Sequence, residues 1–81
     1  MTAAALSHRD RAILRAVAGG TAELMGGAQP DLLVDGRCCC DQMAAHRLAR
    51  AGLITGDGPA VPGRRRPALL TPLGHQELRA S

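Results

Sequence analysis

The sequence predicts a small α+β domain, and three patterns predict it. Two segments, one between Ser7 and Gly19 and one between Asp41 and Gly52, space their apolar residues along one face of a helix. Short runs of Leu, Val and Ile bounded by Gly, Pro or Asp read as strands. A further helix start, Thr71-Pro72, follows the last of those runs. The 81 residues support one domain over 1–81 with a small core and with 1–6 as a flexible lead-in.

The first helix opens on Ser7-His8-Arg9-Asp10, a capping-box arrangement with Asp in place of the usual Glu or Gln. Ile13, Leu14 and Val17 give it an apolar face, with Arg9, Arg11 and Arg15 mostly off that face. Gly19-Gly20 ends it. Thr21 to Met25 is a strand candidate, and Gly26-Gly27 a turn. Residues 29–36 admit two readings. Pro30, Asp31 and Gly36 fit a very short helix, while Leu32-Leu33-Val34 fits a strand that closes a hairpin with Thr21 to Met25. The hairpin is the preferred of the two.

In the central helix, Cys40, Ala44, Ala45, Leu48 and Ala51 share one side at 100° per residue. Asp41 would fall in the middle of that side. An unpaired buried carboxylate is costly, so Asp41 is read as the N-cap. Gly52 supplies the left-handed cap at the other end, and Leu53 and Ile54 turn inward into a strand. Thr55-Gly56-Asp57-Gly58-Pro59 breaks that strand. A loop runs through Arg64-Arg65-Arg66 before Ala68 to Thr71 returns, giving a hairpin with a long basic tip. In the last helix Leu73 and Leu78 are expected to pack, with Gln76, Glu77 and Arg79 outward.

Composition narrows the function. Hydrophobic residues make up 46% of the chain, yet none is aromatic. A core of Leu, Ile, Val, Met and Cys is thin, and a homodimer would bury apolar surface that a monomer leaves wet. Proteins that hold single-stranded nucleic acid usually stack its bases on aromatic rings, so that mode is disfavoured. Reading a duplex through Arg, Gln and His needs no ring. The net charge is +3, and every one of the ten basic residues is Arg. Arg makes bidentate contacts to phosphate and guanine, although a GC-rich genome produces the same bias.

No run approaches membrane-spanning length, and Met1 to Leu6 is too short for a signal peptide. A cytoplasmic chain with reduced thiols is expected. Cys38, Cys39 and Cys40 are adjacent, which suits neither a disulfide framework nor the Cys-x2-Cys spacing of zinc sites. Packing or inert thiols is the preferred reading, with metal or redox sensing as the other. No acid–base pair or phosphate-binding glycine fingerprint points to an enzyme, a cofactor or a small-molecule substrate.

The central helix turns Gln42, Met43, His46, Arg47 and Arg50 outward. Gln suits adenine and Arg suits guanine, so this face is a candidate for major-groove contact; a solvated helix face would carry the same residue types. Arg64, Arg65 and Arg66 form a charge run suited to phosphates or a minor groove, or else a solubilising loop.

The order helix, strand, short element, helix, basic hairpin, helix resembles a winged helix-turn-helix domain, with a β-hairpin as the alternative to its second helix. Leu48-Ala49-Arg50-Ala51-Gly52-Leu53-Ile54 resembles the end of the recognition helix and the following strand in MarR-type regulators. Arg64-Arg65-Arg66 followed by Leu70-Thr71-Pro72-Leu73-Gly74 resembles the wing and the "LT..G" stretch of the same group. Cys38-Cys39-Cys40-Asp41 is loosely similar to the Cys-Val-Cys motif of ArsR-type sensors. The MarR-type resemblance covers roughly residues 6 to 79 and implies sequence-specific duplex DNA binding by a transcriptional regulator, with the central helix in the major groove and the wing on the backbone. Two other functions remain open: a winged-helix protein-interaction adaptor presenting Met43, Ala45 and Ala49, and a thiol- or metal-responsive regulator acting through Cys38 to Cys40.

Overall fold

The computed structural model describes residues 6–27, 31–38 and 41–80. In chain order these form α1 (His8–Ala18), β1 (Ala22–Met25), β2 (Leu32–Val34), β3 (Arg37–Cys38), α2 (Gln42–Arg50), β4 (Ile54–Gly56), β5 (Arg65–Leu70) and α3 (Pro72–Ala80). The strands make an antiparallel sheet in the order β3-β2-β1-β5-β4. The chain is therefore α+β, as its capped segments and short apolar runs predict.

Helices α1 and α2 begin and end on the residues that the sequence singles out. At the start of α1, the Ser7 hydroxyl accepts from the Asp10 amide at 3.0 Å and the Asp10 carboxylate accepts from the Ser7 amide at 3.1 Å. At the start of α2, the Asp41 carboxylate accepts from the Ala44 amide at 2.9 Å. Each helix closes on paired Schellman bonds. In α1 these run from Gly20 to Val17 and from Thr21 to Ala16, and in α2 from Gly52 to Ala49 and from Leu53 to Leu48. Ile13, Leu14 and Val17 of α1 and Ala44, Ala45 and Leu48 of α2 are buried. Ala51, expected on the apolar side, is exposed, because the helix has already ended there. Cys39 and Cys40 lie outside the described residues.

Between the helices the hairpin prevails over the short helix. β1 and β2 pair as Ala22↔Val34, Glu23↔Leu33 and Leu24↔Leu32. Pro30, which favoured the helix, lies outside the described residues. One strand has no counterpart in the sequence reading: Arg37–Cys38 folds back on β2, with Val34 opposite Arg37. The two residues between them, Asp35 and Gly36, have φ of 54° and 79°. Two positive φ in a two-residue loop make a type I′ turn, whose hand suits the twist of the strands.

The Arg run departs most from expectation. β5 begins at Arg65, not Ala68, with Met25↔Arg65, Leu24↔Arg66 and Glu23↔Pro67 across to β1. Arg65 and Arg66 are thus strand residues on opposite faces, and only Arg64 belongs to the loop. The loop itself is anchored. Gly26 donates to the Arg64 carbonyl and accepts from the Gly63 amide, and a Cβ on Gly26 would stand 2.0 Å from the Val61 carbonyl oxygen. The strands had a partner, β1, that no local pattern in residues 64–66 could reveal.

The core lies on one face of the sheet. Ala22, Leu24, Leu32, Ile54, Ala68 and Leu70 meet the apolar sides of α1 and α2, with Leu6, Val34, Ala49 and Leu78 packed at its margin. Leu73, expected to pack, is 45% exposed. Gly74 faces inward instead, where a Cβ would come within 2.2 Å of the Leu53 carbonyl oxygen. Among the described residues no helix is long and apolar enough to cross a membrane.

Candidate functional site

α2 is held from both sides by the polar residues that surround its apolar face. Towards α1 there are two crossed ion pairs. Arg47 meets the Asp10 carboxylate at 2.7 Å, and Arg9 meets the Asp41 carboxylate at 3.1 Å. Towards β2 the Gln42 amide closes a two-bond ring on one backbone position. Its oxygen accepts from the Leu32 amide at 3.0 Å and its nitrogen donates to the Leu32 carbonyl at 2.8 Å. One turn further on, His46 Nε2 lies 3.1 Å from the Asp31 carboxylate.

These partners sort the five residues predicted to face outward. Gln42 and His46 are partly buried and tied to β2 and the residue before it. Arg47 is tied to Asp10, but its side chain remains 59% exposed. Met43 is 82% exposed. Arg50 is exposed, and among the described residues its side chain makes no hydrogen bond or ion pair. Met43, His46, Arg47 and Arg50 together line one open depression with Asp41 and Ala44. A second depression, between the starts of α1 and α2, shares Asp41, Ala44 and Arg47 with it and adds Ser7, Arg9 and Asp10.

The carboxylates here are ionised more readily than usual. Burial of Asp10 works to raise its pKa, but the Arg47 hydrogen bond, the Ser7 amide and hydroxyl, and the Arg47 charge together bring it below the ordinary value. Asp41 is lowered by the Ala44 amide first and then by Arg9. Arg47 is pushed up by its bond to Asp10, which agrees in direction with the shift of its partner. The pair joins a buried carboxylate of α1 to a guanidinium of α2 whose side chain stays more than half exposed.

The three Arg residues of the β4–β5 region have separate surroundings. Arg64 is exposed and its side chain is unpaired among the described residues. Arg65 stands 3.9 Å from Glu23, both half exposed, a weak pair in water. Arg66 turns to the core side. Its guanidinium donates to the Gly58 carbonyl and lies where a Cβ on Gly56 would be, and its buried Nε has no hydrogen-bond partner among the described residues. Arg66 braces the loop.

The two motifs behind the MarR-type resemblance meet in space. The Thr71 amide donates to the Leu53 carbonyl, the Thr71 hydroxyl donates to the Gly52 carbonyl and also caps the Gly74 amide, and Gly74 lies against Leu53. The end of α2 and the start of α3 therefore form one joint. That joint had no signature in either motif taken alone, since each reads as an ordinary helix terminus.

Cys38 is exposed and free, on the edge strand β3. Among the described residues no three His, Cys, Asp or Glu side chains gather as a metal site would need. Compared with protein-family models, curated proteins and solved structures, the chain matches none.

Proposed function

We propose that this chain is a winged helix-turn-helix protein that binds double-stranded DNA, with α2 in the major groove and the β4–β5 hairpin on the backbone as the wing. The observation that carries the reading is the exposed stripe Met43, Arg47 and Arg50 along α2. Exposed Arg64 and Arg65 at the hairpin support it, as does a net charge of +3. The run α2, β4, β5, α3 also supports it, while the β2–β3 hairpin, standing where such domains have their second helix, is a departure from their pattern. On this reading the protein is a cytoplasmic transcriptional regulator and not an enzyme, and it pairs with a second copy to match a two-fold site.

The test is binding to genomic duplex fragments at several salt concentrations. Affinity falls as salt rises, because each neutralised phosphate releases counterions. Replacing Arg64 and Arg65 together with Ala lowers the slope of log affinity against log salt by about 2. Arg66 is left in place, because its removal would unbrace the loop. No affinity at any salt, or an unchanged slope in the double variant, ends this reading.

An adaptor that binds protein is favoured by one observation, the 82% exposure of Met43. It loses Ala45, which is only 3% exposed and belongs to the core. A stoichiometric complex with another protein that survives nuclease and high salt would favour the adaptor over DNA.

A further inference from the structure

We infer that α2 reads base sequence through two residues, Met43 and Arg50, which select a thymine and a guanine about three base pairs apart. The inference rests on the proposed seating of α2 in a major groove. Its basis is the set of ties that position the helix. Gln42 would be the natural partner for adenine, but both ends of its amide are bonded to Leu32. Withdrawing them would strand two backbone groups of a residue that is 0% exposed. His46 is turned to Asp31. Arg47 is fixed on Asp10, so its exposed part can add a phosphate contact without reaching for a base.

Two side chains are left on the outer stripe. Met43 and Arg50 are seven residues apart, two turns of helix, and fall within about 20° of one another at 100° per residue. At 1.5 Å per residue they are about 10.5 Å apart along the axis, which matches about three base-pair steps of about 3.4 Å. Met43 offers an apolar tip with no hydrogen to donate, and the apolar feature of the major groove is the thymine methyl. Arg50 offers a guanidinium that is unpaired among the described residues and whose two-bond match is N7 and O6 of guanine.

The experiment is selection from a randomised duplex library by the full chain and by Met43→Ala, Arg50→Ala and Met43→Gln, each first checked for an unchanged thermal melt. The unaltered chain enriches sites with a guanine and a thymine about three base pairs apart. Arg50→Ala loses about ten-fold discrimination at the guanine only. Met43→Ala loses the thymine, and Met43→Gln moves that position from thymine towards adenine. If the chain binds DNA but does not discriminate, or if the Ala variants select the same site, the two-residue readout is wrong while DNA binding stands. If no duplex is bound at any salt, the readout and the DNA reading fall together.

Discussion

Gln42 and Gly74 show what single residues contribute. The Gln42 amide replaces a neighbouring strand for one residue of β2, satisfying Leu32 at both its amide and its carbonyl. Gln42→Ala leaves both groups without that partner and lowers unfolding free energy by about 1–3 kcal/mol, read from urea denaturation. A loss near zero would mean that water replaces the amide without cost. Gly74→Ala forces a Cβ against a backbone carbonyl, which cannot swing away, and is predicted to cost about 2 kcal/mol or more by the same measurement. Gly56→Ala meets only the guanidinium of Arg66 and is expected to cost less than Gly74→Ala, because a long side chain can move. If the order of these two glycine variants is reversed, Arg66 is more rigidly held than its contacts imply.

At the scale of elements, α2 is the part whose position depends on others. Its own residues specify where it starts and stops, through Asp41 and Gly52, but its orientation comes from α1 on one side and β2 on the other. The β2–β3 turn belongs to this support, since β2 carries the Leu32 clamp. Gly36 has φ of 79°, so Gly36→Ala strains the turn and is expected to cost about 1 kcal/mol. Hydrogen exchange would locate the effect: the β2 and β3 amides should lose protection before those of α1. Loss spread evenly over the whole chain would mean that the turn is coupled to global unfolding. Asp-Gly is a dipeptide that suits such a turn, but a two-residue strand has no periodicity of its own and Gly36 serves equally well as a helix stop, so the β2–β3 hairpin was not read from the sequence.

For the whole molecule, acid is the informative variable. Asp10 and Asp41 have pKa values below the ordinary carboxylate in the folded chain. Their contribution is complete at neutral pH and is lost as pH falls below about 4, through their folded values, because the unfolded chain then binds more protons. The urea midpoint is expected to drop across this window. Asp10→Asn starts lower at pH 7, since Arg47 loses its counter-charge, and shows a shallower acid decline. A variant that keeps the full acid decline would place the linkage on other carboxylates. The same ion pair links stability to the proposed function, because Asp10 bonds Arg47 of the exposed stripe.

Capping and periodicity are local, so both ends of α1 and α2 and the inward residues Ile13, Leu14, Val17, Ala44, Ala45 and Leu48 were legible in the sequence, whereas residues 29–36 left hairpin and short helix both open until β1 paired with β2. The outward set on α2 was also legible as a polar stripe, and Met43 and Arg50 keep that character. Only the tertiary structure decided that Gln42, His46 and Arg47 are tied to Leu32, Asp31 and Asp10, and that Arg65 and Arg66 are strand residues paired with β1. The physical reason is separation along the chain. A helix wheel gives the direction in which a side chain leaves its own axis, but its partner stands 10 to 42 residues away, brought there by packing that no local pattern contains.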